Sequence, residues 1–185
     1  MLRIKYIITL CLAVVALQGI FAQKQYVLQK GAILFRSDAP LELIKASSNE
    51  LKGLFVPDRK AFAFRIPIQS FKGFNGPLQR EHFNENYMES DKYPVASFEG
   101  KIIEDINLEQ SNEFSIRAKG FLTIHGISQE RIIKCDLSVK NNKVIVRTAF
   151  TVLLQDHNIA IPKVVHEKLA SEIKVDVMAE MVVNQ

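Results

Sequence analysis

Tryptophan is missing from the 185-residue chain, and only two cysteines, six prolines and eight glycines are present. Two cysteines exclude a disulfide scaffold, and so few glycines and prolines exclude collagen and low-complexity sequence. Charge of one sign is scarce as well: 24 basic residues face 20 acidic ones, and the lysines and arginines are scattered rather than gathered into a run that tracks a phosphate backbone. Nucleic acid is therefore not an expected partner. The longest apolar stretch, Ile7 to Ala22, has 16 residues, short of the roughly 20 that span a bilayer, so a membrane-spanning protein is not expected either. Against these scarcities stand twelve phenylalanines and a 48% hydrophobic composition, enough for one globular domain.

The first 22 residues, MLRIKYIITLCLAVVALQGIFA, carry Arg3 and Lys5 ahead of the apolar stretch and end on the small residue Ala22. This is the pattern of a cleavable signal peptide cut before Gln23, which places the mature domain, 23–185, in the periplasm or outside the cell. Without Arg3 and Lys5 the mature net charge falls to +2, and without Cys11 only Cys135 remains, so no internal disulfide is expected. Stability must come from the core, which a domain of this length can supply.

Period-two alternation runs through most of the mature chain. Along 113–125, Phe114, Ile116, Ala118, Gly120, Leu122 and Ile124 share one face, with Phe121 the exception on the other. Ile133, Cys135, Leu137 and Val139 alternate in the same way, and Asn141-Asn142 then makes a turn into Val144, Val146, Thr148, Phe150, Val152 and Leu154. Ile173 to Val183 form a final alternating strand, and earlier strands are expected at 26–37, 41–46, 60–68 and 95–104. Two stretches break the period: 77–90 reads as a helix stopped by Tyr93-Pro94, and 162–170 as a short amphipathic turn opened by Pro162. About eight antiparallel strands and two short helices, with no βαβ rhythm, fold either as two packed sheets or as a closed barrel. Alternation alone leaves both open.

The segments FRSDAPLELIKA (35–46), LQREHFNENYMESDKYPVASFEGKI (78–102), GFLTIHGISQERII (120–133) and FTVLLQDHNIAIPKVVHEKLASEIKVDV (150–177) closely resemble the YceI-like family. The most specific parts are LTIHGIS at 122–128 and KYPVASF at 92–98. The resemblance implies an all-β, extended lipocalin-like antiparallel barrel with a hydrophobic pocket, in which some members hold a polyisoprenoid or similar lipid chain. The chain departs from the commoner family pattern at Gln79-Arg80-Glu81-His82 and at Asp156-His157-Asn158-Ile159, both at element ends where a pocket mouth would lie.

Phe35, Phe62, Phe64, Phe98, Phe114 and Phe150 fall on inward strand faces, with Ile66, Ile116, Val152 and Val175 on the same faces. Such residues fill a solid core or line a channel for an aliphatic chain; the family resemblance favours the channel, and makes these ten the candidate ligand-binding residues. The four histidines, His82, His125, His157 and His166, lack metal-ligand spacing, although His82 or His125 near a mouth would respond to pH. No G-x-S-x-G elbow, phosphate loop or dinucleotide-binding glycine run is present, and Glu81, Glu85 and Glu89 have the spacing of a solvated helix face. Neither a catalytic site, a metal nor a cofactor is expected. The leading expectation is a carrier enclosing a long-chain lipid or polyisoprenoid. The alternative is a ligand-free envelope stress or protein-interaction module, for which an exposed Phe71-Lys72-Gly73-Phe74 loop would be the contact patch. The oligomeric state is left open, with a homodimer among the options.

Overall fold

The computed structural model describes residues 24–109, 111–141 and 143–184. The leader, its cleavage site before Gln23, Cys11 and the turn residue Asn142 lie outside the described residues. Nine strands follow one another: β1 (Gln25–Asp38), β2 (Leu43–Ser48), β3 (Lys52–Val56), β4 (Ala61–Pro67), β5 (Val95–Ile102), β6 (Asn112–Ile124), β7 (Ile127–Lys140), β8 (Lys143–Leu153) and β9 (Glu172–Asn184). From β3 onward each pairs antiparallel with the next, and β9 returns to β1 along the register Gln25↔Asn184 to Ser37↔Ile173, so eight strands close a barrel. Closure removes the exposed sheet edge that an open meander would leave. The ninth strand, β2, shares one edge of β1 with β3: β2 pairs with Ile33 to Asp38, and β3 with Tyr26 and Val27.

The strand β3 is additional to the eight that alternation suggests. Its five residues are too short for alternation to register, and Gly53 has no side chain to place on either face. That glycine is required: Gly53 pairs with Phe64, and a Cβ there would collide with the Phe64 ring. Phe62 likewise lies opposite Gly100, which in turn faces Gly120 across β5 and β6, so two aromatic residues each pair with a glycine on a neighbouring strand. The β6–β7 turn is His125-Gly126, with φ of 51° and 72°. Two left-handed residues make the tight hairpin whose twist matches that of its strands.

The two period-breaking stretches behave differently. Pro77–His82 form a helix, α1, opened by proline in its first turn, and the chain continues as a wider turn through Phe83–Tyr87. The stretch 162–170 contains a single 3₁₀ turn, Lys163–Val165, rather than a helix. Both lie at the same end of the barrel, with the loop between β1 and β2. Phe121 points outward and is exposed, as the pleat requires of a residue between inward Gly120 and Leu122.

The opposite end is a floor. There the β5–β6 loop folds Ile106 and Leu108 against Tyr26, Phe55, Ile102, Val139, Val144 and Met181, which are packed as one cluster. Tyr26, Val144 and Met181 are all but inaccessible.

Candidate functional site

Above the floor the barrel is hollow. An apolar cavity of about 670 Å³ runs from Phe55 and Met181 up to the α1 end. Phe35 of β1, Phe62, Phe64 and Ile66 of β4 and Phe98 of β5 face it, as do Ile116 of β6, Phe150 and Val152 of β8 and Val175 of β9. The tenth candidate, Phe114, is inward as alternation requires but lies low on β6, where it packs against the floor instead of bordering the cavity. Several inward positions that border the lumen carry little bulk, Ala96, Ala118 and Ala179 among them, while Gly100 and Gly120 let β5 and β6 approach where a Cβ would meet the neighbouring backbone.

Four phenylalanines roof the cavity. The Phe35 ring stacks on Phe83 at 5.3 Å and lies 5.2 Å from Phe71 and 5.9 Å from Phe74, and Phe74 and Phe83 are 5.0 Å apart. Such ring pairs contribute beyond their buried area, about 0.5–1.5 kcal/mol each. This corrects the expected exposed loop: Phe71 is buried and Phe74 half-buried, both turned onto the barrel. Alternation does not reveal Phe71, Phe74 and Phe83 as lining residues, because loop and helix positions carry no fixed inward face. The FKGFNGP sequence at 71–77 offers two aromatics beside glycine as a signal, and the helical spacing of 77–90 offers Phe83.

The mouth lies between α1 and the 162–170 segment, bordered by Glu42, Asn75, Leu78, Gln79, His82, Val165 and Lys168. Its polar groups are tied to one another. Gln79 Nε2 donates to Glu42 Oε1 at 2.8 Å, Asn75 Nδ2 donates to the same oxygen at 3.2 Å, and the Asn75 amide donates to Gln79 Oε1 at 3.0 Å. Across the mouth the Leu41 amide donates to the Glu167 carbonyl at 2.8 Å, and the Ala170 amide to Ser37 Oγ at 2.9 Å. The QREH departure thus supplies two mouth residues, Gln79 and His82, and Ile159 of the DHNI departure reaches the cavity wall.

The histidines separate by position. His125 joins the hairpin to the end of the α1 region: Nε2 lies 2.6 Å from Glu89 Oε2 and Nδ1 donates to the His157 carbonyl at 3.0 Å. His157 is fully buried and donates from Nδ1 to the Ile127 carbonyl at 3.0 Å. His82 is exposed at the mouth, and His166 binds the Ile161 carbonyl within its own loop. Among the described residues no three His, Cys, Asp or Glu side chains gather as metal ligands. Deep in the lumen the titratable group is Cys135, whose thiol burial pushes up to about 11. A neutral thiol behaves there as a small hydrophobe. What the arrangement can do chemically is desolvate an apolar chain: Glu42, His82 and Lys168 sit at the rim, and Arg65, exposed between Phe64 and Ile66, turns its charge outward.

Comparison with known proteins gives a consistent result. The family model for the YceI-like domain matches residues 36–181. No curated protein matches the chain. Among solved structures, a polyisoprenoid-binding domain from Saccharophagus degradans implicated in plant cell wall breakdown superposes with a TM-score of 0.74 at 12% identity, covering 86% of this chain and 98% of its own. BcnA of Burkholderia cenocepacia follows at 0.66 and 13% identity, covering 81% and 95%. A Campylobacter jejuni YceI protein reaches 0.53 at 16%, covering 71% and 78%. At these identities the structural likeness establishes the fold.

Proposed function

We propose that this chain, which belongs to the YceI-like family, encloses one long apolar chain of polyisoprenoid type in its barrel and does so in the periplasm or outside the cell. The observation that carries the proposal is the roofed, apolar cavity of about 670 Å³ with a plugged floor and a polar-rimmed mouth. A similar fold in the Saccharophagus degradans polyisoprenoid-binding domain supports that choice of ligand. The leader MLRIKYIITLCLAVVALQGIFA supports export.

The mechanism is burial. Each methylene withdrawn from water contributes about 0.8 kcal/mol, so ten supply roughly 8 kcal/mol gross. Association and ordering cost about 4–15 kcal/mol, which only a long chain overcomes. Among the described residues the lining below the rim carries no carboxylate or imidazole, which favours holding over reaction. The contact-patch form of the interaction-module alternative is weakened, since Phe71 is buried and Phe74 half-buried, both turned onto the barrel.

Native mass spectrometry of the protein purified from its own compartment is expected to show an adduct with the mass of a lipid, lost on organic extraction. A protein that is repeatedly empty and also refuses added isoprenoid alcohols would overturn the proposal.

A further inference from the structure

The three most exposed large apolar side chains among the described residues are Val164, Leu41 and Leu78, at 90%, 66% and 61%. They come from places far apart in sequence, yet all three lie on segments that border the cavity mouth. Leu78 lines it directly, Leu41 is tied by its amide to the Glu167 carbonyl, and Val164 adjoins the lining residue Val165. We propose that this rim is a docking surface for the face of a lipid bilayer, into whose interfacial layer Leu41, Leu78 and Val164 insert while the mouth opens toward the acyl chains.

Two features select a bilayer over a protein partner. The apolar tips come from three separate segments, each with a charged residue within two positions, Glu42 beside Leu41, Arg80 near Leu78 and Lys163 beside Val164, whereas protein interfaces have an apolar centre depleted of lysine and glutamate. Long charged side chains beside an apolar tip suit an interface where the tip enters and the charge stays wet. The second feature is the balance of sign. Basic Arg80, Lys163, Lys168 and Lys174 are interspersed with acidic Asp38, Glu42, Glu81, Glu167 and Glu172 around the same end. Such a rim complements zwitterionic headgroups, which present both signs, rather than an anionic surface.

This inference builds on the carrier reading, since a mouth pressed to a bilayer spares an apolar chain the passage through water, but docking is measurable without any cargo. The test is cosedimentation of the mature protein with phosphatidylcholine vesicles, beside uptake of geranylgeraniol added from ethanol. Leu41→Asp/Val164→Asp, neither residue being part of the cavity wall, is expected to lower vesicle binding at least tenfold while leaving geranylgeraniol uptake and thermal unfolding unchanged. Phe121→Asp/Ile132→Asp, on the outer barrel wall, is expected to leave vesicle binding unchanged, and 0.5 M salt to alter it less than twofold. Absent vesicle binding overturns docking even where uptake is normal, and so does an equal loss in the wall variant or binding confined to anionic vesicles. Sedimentation showing a dimer that Leu41→Asp/Val164→Asp dissolves, with no vesicle binding, would assign the rim to a second copy of this chain. Vesicle binding without geranylgeraniol uptake upholds docking and counts against the carrier reading.

Discussion

The floor and the roof of this barrel are built from the same kinds of side chain, yet one is a core and the other a wall. At the floor, Tyr26, Val144 and Met181 come from strands whose registers are locked on both sides, and Ile106 and Leu108 fill what remains. At the roof, Phe71, Phe74 and Phe83 are carried by a loop and by the wider turn that follows α1, and lean on one strand residue, Phe35. Ladder hydrogen bonds constrain the first set to one packing arrangement, while the second is held by ring contacts, the rim amides and a single backbone bridge, Ser47 to Lys72, beside Phe71. Opening is therefore expected at the roof, where the elements with the fewest cross-strand bonds lie.

The most forceful way to break the contrast is a charge in the lumen. Phe64→Asp places an unpaired carboxylate against the cavity, and lipid uptake is expected to vanish because an unpaired charge in an apolar site is strongly disfavoured. Circular dichroism establishes that the variant is folded. Unchanged uptake in that folded protein would mean that the chain does not lie against the Phe64 ring.

Truncation sharpens the same contrast. Leu108→Ala at the floor leaves a closed hole in packed surroundings and is expected to lower stability by about 2–5 kcal/mol. For a domain of this length that is a fall of roughly 4–20 °C in Tm. Phe150→Ala, by contrast, removes one wall of space that is already empty. Its expected loss is about 2 kcal/mol or less, against the roughly 3–5 kcal/mol typical where a phenylalanine fills a solid core. Equal losses at the two sites, read by urea unfolding, would mean that the lumen is as well packed as the floor.

The contrast also marks where sequence reasoning stops. The faces of β6, β7, β8 and β9 are legible because a strand has only two sides, so Ile116, Val152 and Val175 are placed inward from alternation alone. Alternation gives the direction of a side chain and not the volume enclosed, which depends on closure by the β1–β9 ladder and on small residues such as Ala118 and Ala179 facing the lumen. Phe114 shows the limit: it is inward, but its height on the strand puts it in the floor. The mouth is least legible, because Glu42, Asn75 and Gln79 meet only through a hydrogen-bond network spanning 37 residues of chain.

Cys135 tests whether the lumen resembles the floor in dryness, since it belongs to the floor cluster and also borders the cavity. Burial pushes its thiol from 9.0 to about 11, slightly offset by a hydrogen bond involving Thr148 and reinforced by the Asp136 carboxylate. The unfolded chain releases this proton near its ordinary value and the folded protein only near 11, so rising pH favours unfolding between those values. The folded state binds the extra proton in that window, which makes the slope of stability with pH negative. Between about pH 8 and 10 the loss amounts to about 1 kcal/mol from this group. Cys135→Ala removes it, so urea midpoints of the two proteins should diverge over that range, the wild type falling more steeply. If water enters the lumen freely, the thiol ionises near its ordinary value and the two curves run parallel; if a bound chain dries the lumen further, the divergence grows when lipid-loaded protein is compared with extracted protein.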